Sequence, residues 1–227
     1  MFKSFLSSST QSDSPAVSGT CFSLEAGQVL HAGGQCQLLW RVVSGVLRMH
    51  QTHQGRPVLV TLALSGDLVG FETLCGGTCP FDASALTDVQ LLALQPADET
   101  QRQQWLIEAL LQQPQRSHDM ARLRTGSMTS RLSELLCLLG HVPTPDVARH
   151  LSTLNVDALR ESLPPLRDLA EVVDAKHETV CRALAQLLPP RTNKSGPRRW
   201  SRAGAAAAQA IAWVGGQGNG RLDGATA

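Results

Sequence analysis

Residues 166–188 read LRDLAEVVDAKHETVCRALAQLL, and the predicted fold of the C-terminal half follows from them. Apolar residues recur at intervals of three and four on both sides of Asp174, which is typical of two amphipathic helices that each bury one face. Asp174 and Ala175 replace an apolar step, and aspartate tolerates turn conformations that most other side chains avoid. The stretch therefore predicts two short helices joined by a tight turn. The apolar positions are Leu166, Leu169, Ala170 and Val173, then Val180, Leu184, Leu187 and Leu188.

The second helix presents a polar face opposite its apolar one. Glu178, Cys181, Arg182 and Ala185 share this face at helical spacing, and His177 lies beside them. A carboxylate accepts a hydrogen bond from the amino group of cytosine, and an arginine donates two to O6 and N7 of guanine. The face therefore fits the major groove of DNA, into which helix–turn–helix proteins insert their second helix. The alternative is a pair of packed helices that makes no contact with DNA, and periodicity alone does not exclude it.

The run HETVCR at residues 177–182 resembles the recognition helix of the Crp–Fnr superfamily of bacterial transcription regulators. The usual form there is Ser-Arg-Glu-Thr-Val-Ser-Arg, preceded by a helix similar to the DLAE of residues 168–171. The resemblance implies a two-fold dimer whose recognition helices enter successive major grooves of a near-palindromic site. It also implies base reading by Glu178 and Arg182 and phosphate contact by Thr179. The matching residues are Glu178, Thr179, Val180 and Arg182.

Three residues of this segment depart from the family's form. Lys176 stands where a serine or threonine usually caps the helix, a loss that costs about 1 kcal/mol of local stability. His177 stands where arginine is frequent, and Cys181 where serine or glycine is usual. We expect these departures to change the DNA sequence that is read and to leave the groove-reading geometry in place. Lys176 and His177 are among the predicted DNA contacts, His177 to a base or to a phosphate.

Basic residues follow the second helix without any acidic residue among them. Such a cluster can neutralise backbone phosphates of DNA, which makes the affinity fall as the salt concentration rises. A solvated tail is the alternative, and the sequence leaves both open. Pro189 and Pro190 stop the helix and no alternating pattern follows them, so the two-stranded wing usual in the family is lost or rebuilt. This basic cluster comprises Arg191, Lys194, Arg198, Arg199 and Arg202.

Short apolar segments separated by glycines fill the sequence from Phe22 to about Leu94. Turn signals recur about every ten residues, which is typical of an antiparallel sandwich or barrel. The segment also resembles the cyclic-nucleotide-binding β-roll that forms the sensor half of the same superfamily. The predicted fold class is therefore α+β: an N-terminal antiparallel β-roll of jelly-roll type, a connecting dimerisation helix and a C-terminal helix–turn–helix domain. The residues at the family's hairpin positions are Gly27, Gly45, Gly66, Asp67 and Gly70.

The predicted domains follow one another in that order. A flexible arm at residues 1–20 precedes the sensor domain at 21–95, connecting and dimerisation helices at 96–128, the helix–turn–helix domain at 129–202 and a flexible tail at 203–227.

The helix formers after Pro96 predict one helix over residues 101–112 and a second that begins at Pro114, where a missing N–H costs nothing. In the resembled family this segment pairs with its twin to make the dimer. The row of apolar residues that would form the dimer interface (the seam) is weak in this chain. The prediction of a homodimer therefore depends on the resemblance. Residues 141–163 predict a loop or an irregular helix. The residues that crowd or interrupt the seam are His118, Arg122, Arg124 and Gly126.

The sensor keeps Gly70 and Glu72, which match the pair that holds the ribose in nucleotide-binding relatives. A buried phosphate also needs a forked cation to offset its charge. No lysine or arginine occurs between Arg56 and Arg102, and Asp82 in that region would repel a phosphate. The sequence therefore argues against a cyclic nucleotide such as cyclic AMP as the effector.

Two cysteines, Cys75 and Cys79, flank a flexible turn near the predicted effector site. They suit a thiol switch or a soft-metal or haem ligand, and two unreactive structural cysteines are the alternative. An iron–sulfur cluster is not indicated, because the tight N-terminal cysteine cluster of the family's iron–sulfur members is absent. The predicted effector-binding residues are Gly70, Glu72, Cys75 and Cys79. The candidate haem ligands, which no spacing pairs, are His31, His50, His53, Cys75 and Cys79.

His50 and His53 introduce a competing function class, the cupin-like metalloenzymes. Such sites need several histidines and a carboxylate that converge inside a barrel. Residues three apart on a strand face opposite sides, and a hairpin at Gln54-Gly55 predicts that both histidines are exposed to solvent. No enzymatic activity is therefore predicted. A small-molecule-binding or redox-binding β-roll protein without DNA readout is the other alternative.

The composition of the chain limits which other classes of protein it can belong to. The chain has 227 residues, of which 42% are hydrophobic and 17% charged, and its net charge of +1 does not by itself require a nucleic-acid partner. No apolar run approaches the ~20 residues needed to span a membrane, and the first residues do not resemble a secretory leader. We therefore expect a cytoplasmic protein with reduced cysteines. The resemblance adds double-stranded DNA, a second copy of the chain and RNA polymerase as partners.

Overall fold

The computed structural model describes residues 20–34, 37–150 and 155–188 of the chain. The following predictions lie outside these residues: the N-terminal arm apart from Thr20, the loss or rebuilding of the wing after Pro189 and Pro190, the basic cluster with its Arg191, Lys194, Arg198 and Arg199, and the tail at 203–227.

Eight strands in the described part of the chain form two four-stranded antiparallel sheets. One sheet has the order β1-β8-β3-β6 and the other the order β2-β7-β4-β5. This arrangement confirms the predicted antiparallel β-roll. The strands are β1 (Cys21–Leu24), β2 (Val29–His31), β3 (Leu39–Ser44), β4 (Leu47–His53), β5 (Arg56–Ala63), β6 (Leu68–Val69), β7 (Asp82–Ala85) and β8 (Val89–Leu94).

Alternation along each strand places the apolar side chains between the two sheets. Val42 and Leu91 of the first sheet share a buried cluster with Leu47 and Met49 of the second. Burial of each such side chain stabilises the fold by about 1.5–3 kcal/mol. The alternate residues of β4 face away from this core. The outer side of β4 therefore carries polar side chains.

The β4–β5 connection is a two-residue hairpin turn at Gln54 and Gly55. Both residues have positive φ, at 50° and 74°. Two-residue hairpins favour such turns because the backbone twist then matches that of the strands. The predicted turn is therefore confirmed, but the predicted exposure of both histidines is wrong for His50. The His50 side chain is only 11% exposed, because helix α5 (Leu166–Val172) lies against its face of β4.

A 26-residue helix, α1 (Glu99–Arg124), follows the β-roll. Asp98 caps its first turn, and the Asp98 side chain accepts a hydrogen bond from the Gln101 N–H at 2.7 Å. The prediction of a new helix at Pro114 is wrong, because Pro114 lies inside α1. The N–H that proline lacks would bond to the carbonyl of Leu110. Leu110 lies on a solvent-facing side of α1 and is 69% exposed, so water can satisfy that carbonyl.

The remaining helices form the C-terminal module. Residues 141–163, predicted as a loop or an irregular helix, contain the short helices α3 and α4. No described helix, including α1, has the length and apolar character to cross a membrane. Besides α1 and α5, the described helices are a 3₁₀ helix at Phe71–Cys75, α2 (Met128–Leu138), α3 (Val147–His150), α4 (Val156–Ser162) and α6 (His177–Leu187).

One buried apolar cluster joins the β-roll to the C-terminal module. Leu59 and Leu62 of β5 belong to the same cluster as Leu123 of α1, Leu135 of α2 and Val180 of α6. The C-terminal module is thus packed on the β-roll, and the apolar contacts of this cluster set its orientation.

Candidate nucleic-acid interface

The turn between α5 and α6 has the conformation that its aspartate predicts. Asp174 has a φ of 48°, in the left-handed region that aspartate tolerates better than most residues. The Ala175 N–H donates to the carbonyl of Ala170 at 2.9 Å, which closes the end of α5. The predicted pair of helices joined by a tight turn is confirmed.

Helix α6 begins without a side-chain cap, as the sequence predicted. Lys176 occupies the cap position and its side chain accepts no hydrogen bond there. Its backbone carbonyl accepts from the Thr179 and Val180 N–H groups at 3.0 and 3.2 Å. The first turn of an α-helix carries backbone N–H groups without partners in the helix and a partial positive charge. A phosphate group of DNA suits that end of α6.

The two faces of α6 differ in the way that the sequence predicts. Val180 and Leu184 are buried, whereas Glu178, Cys181 and Arg182 are exposed. A mostly polar surface of about three turns therefore faces solvent, with Cys181 and Ala185 as its apolar members. The structure brings Lys176, His177, Glu178 and Arg182 together on this surface, with Thr179 half-buried at its edge.

The exposed side chains of α6 are held only loosely. His177 Nε2 lies 3.3 Å from Glu178 Oε1, and these side chains are 66% and 61% exposed. Arg182 Nε donates a long hydrogen bond of 3.5 Å to the carbonyl of Glu178. Contacts this exposed contribute little to stability and can be exchanged for contacts with a ligand. The face combines an acceptor, a forked donor and an imidazole at one end of a helix.

The predicted effector residues lie where the 3₁₀ helix meets α1. Gly70 has a φ of 80° and begins that helix, and Glu72 lines a small crevice against α1. Glu72 Oε2 is buried and has no hydrogen-bond partner among the described residues. The volume of the crevice is only about 30 Å³, close to that of a single water molecule.

Polar contacts from α1 close this crevice, and the sequence did not reveal them. Gln112 accepts from the Leu68 N–H at 2.8 Å and donates to the Leu68 carbonyl at 3.1 Å. Arg116 forms an ion pair with the largely buried Asp67, with 2.9 Å between Nε and Oδ2. Burial raises the pKa of Asp67, and the Leu64 N–H and Arg116 partly oppose that rise. These pairs are separated by more than forty residues in sequence, so no local pattern signals them.

The two cysteines of the predicted effector site have different surroundings. Cys75 is exposed, whereas Cys79 is 1% exposed and its Sγ lies 3.3 Å from His31 Nε2. Cys75 and Cys79 are not joined to each other in a disulfide. Asp82 accepts a hydrogen bond from the Gly33 N–H at 2.5 Å, so its carboxylate stabilises a turn next to Cys79. Within the described residues no group of three or more His, Cys, Asp or Glu side chains could hold a metal ion.

A stripe of exposed apolar residues on α1 was missed. Ile107, Leu110 and Leu111 are 58%, 69% and 70% exposed. They stand at i, i+3 and i+4, which places them on one side of the helix, so helical spacing was the signal for them. Gly126, expected to interrupt the seam, follows the end of α1, and Arg124 donates to the carbonyl of Leu59 in the β-roll. We call Ile107, Leu110 and Leu111 the α1 stripe.

Comparisons with known proteins agree with this architecture. Residues 21–101 match the family model of the cyclic nucleotide-binding domain. A CRP-family transcriptional regulator from Thermus thermophilus is similar in structure, with 22% identity, a TM-score of 0.50, and coverage of 73% of this chain and 83% of that chain. FixK2 from Bradyrhizobium japonicum gives 19% identity and a TM-score of 0.49, with coverage of 74% and 84%. No curated protein matches the sequence. The predicted resemblance to the Crp–Fnr superfamily is confirmed at the level of the fold.

Proposed function

We propose that this protein is a sequence-specific, DNA-binding transcription regulator of the Crp–Fnr type that acts as a homodimer. The observation that carries the proposal is the exposed polar face of α6, presented by a helix–turn–helix whose apolar faces are buried. In such motifs the second helix enters the major groove and reads base edges with residues near its N-terminus.

The proposed contacts follow from the chemistry of that face. Glu178 accepts from a cytosine amino group, and Arg182 donates two hydrogen bonds to a guanine. Thr179 and Lys176 contact phosphates near the start of α6, and His177 contacts a base or a phosphate. The basic cluster adds further phosphate contacts through Arg191, Lys194, Arg198 and Arg199.

The proposed dimer uses the α1 stripe. Three large apolar side chains side by side on a solvent-facing helix are a surface that a second copy of the chain can cover. A two-fold dimer places its two recognition helices about 34–36 Å apart, one turn of DNA, and so reads two half-sites. Contact with RNA polymerase and a cytoplasmic location complete the proposal, and both rest on the resemblance.

The proposed input is a signal at the β-roll other than cyclic AMP. The crevice next to Glu72 holds about 30 Å³, far less than a nucleotide needs. Its one described cation, Arg116, is paired with Asp67. The contact between Cys79 and His31 supports thiol chemistry in the β-roll, with haem ligation as the other option.

A small-molecule-binding or redox-binding β-roll protein without DNA readout is the second candidate. The contact between Cys79 and His31 fits it as well as the regulator, and the exposed polar face of α6 favours the regulator. A cupin-like enzyme has less support, because His50 is occupied by Glu171 at 2.9 Å. We therefore do not propose an enzymatic activity.

The experiment that tests the proposal is titration of the full chain with a random-sequence duplex at several salt concentrations. Non-specific affinity should fall linearly with salt on logarithmic axes, with a slope near −0.9 per phosphate neutralised. Sedimentation of the same sample should show a dimer. A monomer that fails to bind duplex DNA at low salt would favour the candidate without DNA readout.

A further inference from the structure

Four charged or titratable side chains connect the β-roll directly to the first helix of the helix–turn–helix. Arg48 Nη1 lies 2.9 Å from Asp168 Oδ1 and 3.1 Å from Glu171 Oε2. His50 Nε2 lies 2.9 Å from Glu171 Oε1. Glu171 thus uses both carboxylate oxygens, one for each partner on β4. More than 115 residues of sequence separate the two sides of the cluster.

The periodicities of the two elements bring these groups together. Arg48 and His50 are two residues apart on β4 and share its outer face, whereas Leu47 and Met49 face the sandwich core. Asp168 and Glu171 are three residues apart on α5 and share one side of that helix. Each element buries its apolar side and turns its charged side towards the other.

The β4 side of the cluster is largely sheltered from solvent, and its α5 side is partly exposed. The Arg48 and His50 side chains are 12% and 11% exposed, and those of Asp168 and Glu171 are 22% and 35% exposed. Salt screens such pairs less than it screens surface pairs, and loss of one partner leaves a charge without its counterion. The pKa of Glu171 lies below its ordinary value, first because His50 donates to it and then because of its attraction to His50 and Arg48.

An open groove lies beside the cluster, between the start of β5 and the α5–α6 turn. Its volume is about 350 Å³, and Val58, Glu171 and Asp174 are among the residues that line it. Alongside this groove the contact between α5 and β4 is polar. A polar junction next to solvent can open with less loss of buried apolar area than the packed cluster around Leu59 and Val180.

We propose that Arg48, His50, Asp168 and Glu171 form an ionic latch that holds the helix–turn–helix docked on the β4–β5 hairpin. Because the tight turn at Asp174 couples α5 to α6, the latch also fixes the direction in which the recognition face points. Release of the latch leaves the module held on the β-roll by the apolar cluster around Leu59 and Val180 and so lowers the cost of a second orientation, which is the step that a signal at the β-roll would bias. The role of the released module rests on the proposed function, whereas the latch itself is a property of the chain alone.

Hydrogen exchange of the full chain without DNA tests the latch. Arg48→Glu and Glu171→Arg should each speed exchange of the α5 amides and of the β4–β5 hairpin by about tenfold or more, because each places like charges together. The double variant Arg48→Glu with Glu171→Arg restores opposite charges at these two positions but leaves the new carboxylate beside Asp168, so it should recover part of the protection that each single variant loses. Arg56→Glu, an exposed charge reversal on the same hairpin, should leave exchange of α5 unchanged.

If a charge reversal prevents folding, Arg48→Gln and Glu171→Gln replace it and should speed exchange in the same two segments. Protection of β3 and β8 in the sandwich core should stay at the wild-type level in every variant. Single variants with wild-type exchange in α5, or a double variant no better protected than the singles, would overturn the latch. Since no DNA is present, this result is independent of whether the protein binds DNA.

Discussion

Arg182 follows Glu178 by one helical turn on the exposed face of α6, and its Nε lies 3.5 Å from the Glu178 carbonyl oxygen. The Cα atoms of the two residues are therefore about 6 Å apart along the helix axis. This distance is shorter than two base-pair steps of DNA. This spacing lets a carboxylate and a guanidinium read neighbouring base pairs from one helix. The proposed readout depends on this pair more than on any other residues.

Replacement of Arg182 by Ala should relax discrimination at one base pair by about 1–3 kcal/mol, because a bidentate contact to guanine is lost. The measurement is fluorescence anisotropy with a selected site and its single-base variants. Arg167→Ala is the matched control, since it removes an exposed arginine from α5 of the same module. The control should change affinity by a similar factor for every base. Unchanged base preference in Arg182→Ala would remove Arg182 from the readout.

Replacement of Asp174 should reveal the strain in the turn. Asp174→Val should lower the free energy of unfolding by about 1–2 kcal/mol, because a β-branched residue is disfavoured at a φ of 48°. Asp174→Gly relieves that strain and should change stability by less than about 1 kcal/mol. Urea unfolding of the two variants provides the comparison. Equal losses for Val and Gly would show that the aspartate side chain matters and its backbone conformation does not.

Charges on the α1 stripe should separate the proposed dimer. Leu110→Glu together with Leu111→Glu should yield a folded monomer, because two buried carboxylates cannot be hydrated in the interface. Sedimentation equilibrium gives the mass, and circular dichroism shows that the helices persist. Gln90→Glu adds a charge at an exposed position on β8 of the β-roll, outside α1, and should leave the dimer intact. A double variant that stays dimeric would place the interface elsewhere.

Stability should depend on His141 at mildly acidic pH. Burial lowers the pKa of His141 below its ordinary value of 6.5, and Nε2 lacks a hydrogen-bond partner among the described residues. The unfolded chain therefore binds a proton more readily than the folded one, so the stability linked to this group is lost as pH falls below 6.5. Unfolding of the wild type and of His141→Gln should be compared between pH 7.5 and 5.5. The wild type should lose stability relative to the variant, and a constant difference would contradict the assignment.

The helix–turn–helix could be predicted because its information is local. The apolar spacing from Leu166 to Leu188 and one aspartate specify two helices and their turn within 23 residues. The β-roll was predictable for a similar reason, since glycines with positive φ such as Gly45 and Gly66 mark its turns. Pro114 misled the prediction, because a proline suits the first turn of a helix and is also tolerated on the solvent side of a long one.

The polar contacts of the site could not be predicted, because their partners are distant in sequence. His50 meets Glu171 across 121 residues, and Cys79 meets His31 across 48. The closure of the effector crevice by Gln112 is of the same kind. Periodicity shows which face of an element is polar, and only the packed structure shows which other polar face it meets.

Selection of bound sequences from a random DNA library by the full-length protein tests the central claim most directly. The account predicts recovery of a near-palindromic site with half-sites about one helical turn apart, and loss of preference at one position of each half-site with Arg182→Ala. Recovery of sequences no different from the starting library, with the protein folded and dimeric, would contradict it.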